Sequence, residues 1–233
     1  MWMNIPRVTT LWLFLSHICM AAVWTEVGDA GRLPSTAQAT VGFGTLDTIF
    51  GNLENADPAQ SLFDVDLYLI RIFDPLNFFA RTVNAPGLYV SDPQLFLFNS
   101  SGLGIYMNDD DESGLNASQS RLPGGHPFGP LVAGLYLLGT GWWNNEPLSI
   151  TGQIFSDAND PGTNGPGAGG SDPLMGWDDN VLARIDLETD YEINLTGAEF
   201  AVIIPEPNFF PAVGAALVWL FLRQRRRNKV ARL

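Results

Sequence analysis

Closely spaced turn residues are the feature that most limits the folds open to this chain. Its 233 residues include 24 glycines and 16 prolines, and no stretch between residues 36 and 203 keeps a helical apolar period for three turns. Turn-forming clusters instead separate short apolar or alternating runs, at 66–73, 95–98, 135–139, 148–155, 191–195 and 199–203. This spacing predicts an all-β body.

One of these runs has the pattern of a strand that is buried on both faces. Asp66, Tyr68 and Ile70 alternate with Leu67 and Leu69, and both sets are largely apolar. Such a strand lies at the centre of a layered β fold. We therefore predict a β-sandwich of about eight strands with jelly-roll or Greek-key connections. The glycine- and proline-rich segment 157–172 is predicted to be a long flexible loop.

Charge is distributed unevenly along the chain. All 25 acidic residues lie between residues 24 and 206, where only five arginines accompany them, whereas six of the twelve basic residues fall in the last eleven positions. So acidic a body repels phosphate backbones, which argues against a nucleic-acid partner and favours a cation. The single cysteine, Cys19, lies near the N-terminus, so burial of apolar residues must hold the body together without disulfides.

The N-terminus has the pattern of a secretory signal peptide. Arg7 precedes an almost wholly apolar run over residues 8–23, after which polar and small residues return. We assign residues 1–30 to this signal, in helical form, with cleavage between Ala22 and Ala30. A buried N-terminal helix is the competing interpretation.

The C-terminus has the pattern of a membrane anchor. Residues 209–222 carry no charge and are followed at once by an arginine cluster. Fourteen helical residues reach only about 21 Å, against a hydrocarbon core of about 30 Å, so a buried helix is the competing interpretation. Arginines that snorkel, Trp219 in the headgroup belt and a positive cytoplasmic flank favour a transmembrane helix after an exported domain over residues 31–204.

A short motif stands directly before this anchor. Pro205, Glu206 and Pro207 precede the apolar run, and Arg225, Arg226 and Arg227 follow it. The order and spacing of these parts resemble the PEP-CTERM sorting signal of exported bacterial proteins, over residues 205–233. The resemblance implies that an exosortase removes the anchor. The protein would then be held in the inner membrane before processing, and would be released to the cell surface or secreted afterwards.

The body carries a second resemblance, which covers most of it. The segments that carry it are 64–68, 78–82, 92–98, 102–106, 108–110 and 134–137. Together they resemble the bacterial pre-peptidase C-terminal domain, especially the version found in exported PEP-CTERM proteins. The resemblance implies a non-catalytic β-sandwich module, some members of which bind calcium or polymers. The sequence departs from the family at Phe79-Ala80-Arg81, where a smaller or hydroxyl residue is expected, and at the Trp142-Trp143 pair.

Few residues of the body are suited to catalysis. His126 is its only histidine, and the sequence has no Gly-x-Ser-x-Gly nucleophile elbow. We therefore expect a protein that is not an enzyme. The resemblance implies a structural, adhesive or binding role in an extracellular polysaccharide matrix or biofilm. The alternative is a secreted, carboxylate-based glycoside hydrolase or lyase, which needs a carboxyl of raised pKa in a pocket.

A run of acidic residues is the strongest candidate for a ligand site. Asn108, Asp109 and Asp111 lie in this run, and Asp64 and Asp66 open an earlier segment. The run matches the first half of a calcium loop but lacks the glutamate at position 12, so it is not an EF-hand. Two interpretations stand, a solvated acidic turn and a Ca²⁺ site to which the two groups contribute, together or separately. No other cofactor is predicted.

Two adjacent tryptophans, Trp142 and Trp143, are the other candidate. Neighbouring side chains on a strand point to opposite faces, so one of the two would fill the core and the other would be exposed to stack on a sugar. The competing interpretation has both tryptophans packed near the end of a sheet.

Overall fold

The computed structural model describes residues 22–53, 63–83, 92–111, 118–156, 162–180 and 189–204. Within these ranges the chain forms strands and turns and no helix. No described segment therefore forms a helix that is long and apolar enough to cross a bilayer. Residues 1–21 of the predicted signal helix, and the whole C-terminal segment 205–233, lie outside the described residues.

The strands are short, as the turn spacing predicts. In chain order they are β1 (Val23–Thr25), β2 (Gln38–Ala39), β3 (Val41–Gly42), β4 (Thr48–Leu53), β5 (Val65–Ile72), β6 (Phe79–Val83), β7 (Pro93–Asn99), β8 (Gly104–Asn108), β9 (Arg121–Leu122), β10 (Gly134–Trp142), β11 (Pro147–Ser149), β12 (Gly152–Gln153), β13 (Thr163–Asn164), β14 (Gly176–Trp177), β15 (Thr189–Thr196), β16 (Ala198–Phe200) and β17 (Val202–Ile203).

Two large sheets make up the body. The outer sheet has the order β1-β4-β15-β6-β9, and the middle sheet has the order β13-β8-β7-β10-β5-β16, with β2 also paired to β5. A three-stranded sheet, β12-β11-β14, and a two-stranded pair, β17-β3, complete the described part. The chain crosses between the large sheets at β4 to β5, β5 to β6 and β6 to β7. The predicted all-β, layered fold is confirmed.

The middle sheet is covered on both faces. One face packs against the outer sheet, where Tyr68 and Leu138 join Ile193 in a single core cluster. The other face carries Leu67 and Phe96, which pack with residues of the segment 154–177 in a second cluster. β5 therefore alternates between two cores, which confirms that it is a central strand. Burial of the many large apolar side chains, at roughly 1.5–3 kcal/mol each, compensates for the absence of disulfides.

Two of the predicted runs are not single strands. Residues 148–155 divide into β11 and β12, which pair antiparallel, and Gly152, the first residue of β12, has a φ of 126°. Residues 199–203 divide at Ala201, because β16 pairs with β5 whereas β17 pairs with β3. In both cases the apolar pattern continues through a change of partner strand.

Two boundaries also differ from the prediction. β1 pairs with β4 and Ala30 is fully buried, so residues 22–30 are part of the folded body and do not form the predicted signal helix. Part of the segment 157–172 is ordered against the sheet, because β13 pairs with the edge strand β8. The remainder of that predicted loop, residues 157–161, lies outside the described residues.

Candidate metal centre

Several strand ends meet at one end of the middle sheet. The antiparallel register places Pro93 of β7 beside Trp142 of β10, and Leu95 beside Asn108 of β8. The residues just before β7 and just after β8 and β10 are therefore neighbours in space. These flanking residues are acidic, and they form the candidate site.

Three carboxylates make up what we call the loop-end cluster: Asp92, Asp109 and Asp110. One oxygen of each lies within 4.8 Å of the others. Asp109 is only 3% exposed, and its Oδ1 has no hydrogen-bond donor among the described residues. A buried carboxylate without a donor is costly, so this oxygen needs either a proton or a cation.

A fourth carboxylate lies beside the cluster. Glu146 follows β10, is 1% exposed, and accepts a hydrogen bond at Oε1 from Gln94 Nε2 over 3.1 Å. Its Oε2 has no donor among the described residues. Its charge raises the pKa of Asp109, which indicates that the two carboxyls interact. Glu146 is thus a buried carboxylate close enough to influence Asp109, although it is not among the carboxylates whose oxygens lie within 4.8 Å of one another.

The pKa values of these carboxyls are raised, so their charged forms are disfavoured when no cation is bound. Burial first, and then the neighbouring carboxylates, raise the pKa of Asp109 to about 8. Burial likewise raises the pKa of Asp92 to about 6 and that of Glu146 to about 7. The ion pairs of the described residues, Arg32 with Asp179 and Arg121 with Asp111, do not include the cluster. No described arginine therefore neutralises it.

This donor set suits a hard divalent cation. Ca²⁺ takes six to eight oxygen ligands at about 2.3–2.6 Å, so two ligands on opposite sides of one ion lie up to about 5 Å apart. Carboxylate oxygens within 4.8 Å of one another can share such an ion. With no sulfur or imidazole in the cluster, the chemistry favours Ca²⁺ over zinc or copper.

The structure divides the residues that the sequence singled out in the acidic run. Asp109 belongs to the loop-end cluster. Asn108 instead shapes the turn, since its Oδ1 accepts from Arg121 N at 2.5 Å and its Nδ2 donates to the Asp110 carbonyl. Asp111 pairs with the Arg121 guanidinium at 2.9 Å. Asp111 is not among the grouped carboxylates, and the Asn108 amide is engaged by its own two hydrogen bonds.

Asp66 belongs to a different group, which we call the inner cluster: Glu26, Asp29 and Asp66. Asp66 is in phase with Tyr68 and so faces the core between the two large sheets, whereas Asp109 is in phase with Met107 of the other core. The two acidic clusters are therefore on opposite faces of the middle sheet. Asp64 is buried next to Asp66, and the charge of Asp64 raises the pKa of Asp66.

The inner cluster is the weaker metal candidate, because protein donors already satisfy most of its oxygens. Glu26 accepts from Ala30 N at 2.7 Å and from Asn52 N at 2.9 Å. Asp66 Oδ2 accepts from the Tyr191 hydroxyl at 2.5 Å, and Asp29 accepts from a backbone amide. Burial raises the pKa of Asp66 well above its usual value, which favours a protonated carboxyl at this position.

Next to the inner cluster lies a cavity of about 300 Å³. Its lining includes Glu26, Phe50, Asn52 and Asp190. Burial raises the pKa of Glu26, which is the feature that the hydrolase alternative requires. His126 lies elsewhere, stacked with Tyr106 at 6.1 Å and accepting from Phe128 N at 3.3 Å, and so is not placed to assist Glu26.

The tryptophan pair straddles the end of a strand. Trp142 is the last residue of β10, is half-buried and packs against the core between the large sheets. Trp143 is half-buried in the turn that follows, where its backbone N donates to the Asp92 carbonyl at 2.9 Å. The expected alternation across a strand does not apply, because β10 ends between the two residues.

Sequence analysis missed Asp92, Glu146, Glu26 and Asp29. The signal that was available for Asp92 is the turn at 100–102, which makes β7 and β8 a hairpin and brings residue 92 beside residue 109. Glu26 and Asp29 lie within the range assigned to the signal peptide. No protein-family model matches the chain and no curated protein is significantly similar to it, so a functional proposal rests on the sequence motifs and the geometry of the loop-end cluster.

Proposed function

We propose that this chain is an exported, non-catalytic β-sandwich protein whose loop-end cluster binds Ca²⁺. The observation that carries the proposal is the grouping of Asp92, Asp109 and Asp110, of which Asp109 is buried and has a carboxylate oxygen with no described donor. Calcium is scarce inside cells and abundant outside them. A site of this kind therefore stabilises the fold after export and leaves it less stable before.

Features at both ends of the body support export and sorting. The body is bounded by a signal-like run before Ala22 and by Pro205-Glu206-Pro207 just after the last strand, β17. An exosortase that cuts near this motif would leave all the described strands in the released part. We propose that the protein is anchored in the inner membrane before this cut, and lies at the cell surface or is secreted after it.

The role proposed for the released body is structural, adhesive or binding, within an extracellular polysaccharide matrix or biofilm. Its acidic composition and the proposed calcium site support this proposal, because divalent ions bridge acidic proteins to acidic polymers. Greek-key connections between the large sheets are part of the same proposal, supported by the repeated crossings between β4 and β7.

Calcium binding is tested on the full chain purified in detergent. Isothermal titration with Ca²⁺ is expected to give one ion per chain, and the melting temperature is expected to rise with millimolar Ca²⁺. Asp92→Asn is expected to weaken binding at least tenfold. Asp74→Asn is the matched control, because Asp74 lies in the turn at the opposite end of β5. A titration with no heat and no shift in melting temperature would remove the proposal.

The cavity beside Glu26 favours a second candidate, the carboxylate-based hydrolase or lyase. Glu26 has a raised pKa and lines the cavity together with Asp190, as a general acid and its partner would. The test is release of reducing ends from a panel of acidic and neutral polysaccharides. Activity that Glu26→Gln abolishes would establish this candidate, and no turnover on any of them would exclude it for those substrates.

A further inference from the structure

Exposed apolar side chains gather beside the point where the described chain ends. β17 pairs parallel with β3, Val202 opposite Val41 and Ile203 opposite Gly42, and Ile204 N continues the ladder to the Gly42 carbonyl at 2.8 Å. We call the exposed apolar residues of this pair the apolar ribbon: Val41, Phe43, Val202, Ile203 and Ile204, between 36% and 53% exposed.

Most of the apolar ribbon points in one direction. In a parallel pair, residues in register share a face, so Val41 and Val202 lie on the same side, and Phe43 and Ile204 follow two residues later on that side. The other side at Gly42 is closed, because a Cβ there would meet the Phe200 ring at 2.6 Å. Four large apolar side chains, each at least 36% exposed, therefore lie on one face.

The chain beyond this face is short. Only residues 205–208 separate Ile204 from the uncharged run 209–222. Five residue steps span at most about 18 Å even when fully extended. If the run begins at the edge of the hydrocarbon core, then Ile204 lies within about 18 Å of that edge, of which the headgroup layer itself occupies about 5–8 Å.

We propose that the apolar ribbon docks on the lipid surface of the membrane while residues 209–222 anchor the chain. The inference rests on the proposed membrane anchor and adds to it a contact surface on the folded body. So short a tether gives the ribbon an effective concentration near the bilayer of the order of millimolar, so that a weak interfacial preference of valine, isoleucine and phenylalanine is enough. Docking would hold Pro205-Glu206-Pro207, which directly follow Ile204, close to the bilayer surface.

The test uses the full chain in vesicles of phosphatidylethanolamine and phosphatidylglycerol. Cys19 is replaced by serine, which leaves no other cysteine, and one cysteine is introduced at a time for an environment-sensitive fluorophore. The positions are Phe43→Cys and Ile204→Cys in the apolar ribbon, Leu217→Cys in the proposed anchor and Leu131→Cys as the control. Leu131 is 87% exposed and lies in the loop before β10.

Nitroxide-labelled lipid is expected to quench the probes at residues 43, 204 and 217 by at least half, with blue-shifted emission, and to leave the probe at residue 131 unquenched. Quenching at 217 without quenching at 43 and 204 overturns the docking inference and leaves the anchor standing. No quenching at 217 overturns both. The probes at residues 43 and 204 could instead show a blue-shifted emission that depends on protein concentration and persists in detergent. This would mean that a second copy of the chain covers the ribbon, which also overturns the inference.

To check that the apolar character matters, Val202→Ser and Ile204→Ser are combined in the chain that carries the probe at residue 43. Both side chains are half exposed, so the fold is expected to survive, as the melting temperature will show. Quenching at 43 is expected to fall to the level of the control at 131. Unchanged quenching would mean that the tether alone holds the ribbon near the bilayer, and docking would be refuted.

Discussion

Replacing Asp109 by asparagine separates a calcium site from a solvated acidic turn. In the folded chain without a cation, the pKa of Asp109 is about 8, against 3.8 when it is unfolded. Each pKa unit corresponds to 1.36 kcal/mol, so at pH 7.5 the buried carboxyl destabilises the fold by about 5 kcal/mol. Asparagine is neutral at every pH and does not carry this penalty.

The amide has a cost of its own. A buried amide without full hydrogen bonding costs about 1–3 kcal/mol, which leaves Asp109→Asn more stable than the wild type by about 2–4 kcal/mol in a chelator. For a domain of this size, each kcal/mol shifts the melting temperature by about 2–4 °C. Scanning calorimetry of the full chain in detergent with a chelator is therefore expected to show a higher melting temperature for the variant.

Calcium is expected to act on the two proteins differently. At 100 times its dissociation constant, a ligand that binds only the folded state adds about 2.7 kcal/mol, or about 5–11 °C here. The melting temperature of the wild type is expected to rise by this amount in calcium, whereas that of Asp109→Asn is expected to change very little. Asp74→Asn should gain as much as the wild type. If Asp109→Asn melts at a lower temperature than the wild type in chelator, and calcium still raises its melting temperature, the proposed calcium site is refuted.

Three further predictions follow from other contacts. The pKa values of Asp92, Asp109 and Glu146 are raised in the folded chain, so in chelator these groups make the free energy of unfolding greatest below about pH 4 and lower it as the pH rises to about 8. Denaturant titrations should show this decline in chelator and no decline in calcium. Tyr191→Phe removes the 2.5 Å hydrogen bond that the Tyr191 hydroxyl donates to the buried Asp66 carboxyl and should cost about 1–3 kcal/mol; an unchanged free energy of unfolding in urea would contradict this. Signal cleavage is expected after Ala21, directly before the range Ala22 to Ala30 expected from the sequence, since Cys19 and Ala21 are small residues at the required spacing and the Ala22 amine would then meet Asp47 Oδ2 at 3.0 Å; N-terminal sequencing that begins later than Trp24 would contradict it, because β1 would be broken.

The sequence predicted those parts of the fold that depend on local pattern. β5 shows in its alternation that both of its faces are buried, and the turns at 74–77 and 100–102 fall where strands end. The divisions at Gly152 and Ala201 were missed, because an apolar run continues across a change of partner and only the pairing reveals the break.

The candidate site could be predicted only in part for the same reason. Asp109 stands out because it lies in a run of acids. Asp92 and Glu146 are isolated in sequence, and only the pairing of β7 with β8 and β10 brings them to Asp109. Glu26 was hidden because an apolar leader and a first strand look alike to a hydropathy pattern, and only pairing with β4 separates the strand from the leader.

Native mass spectrometry of the protein recovered from the medium of its host tests the central claim most directly, because it counts bound ions and locates both ends of the chain at once. The account predicts a chain that begins at Ala22, ends near Pro205 and carries one Ca²⁺, which acid or chelator removes. A chain that carries no ion at millimolar calcium, or that still contains the arginine cluster 223–232, would contradict it.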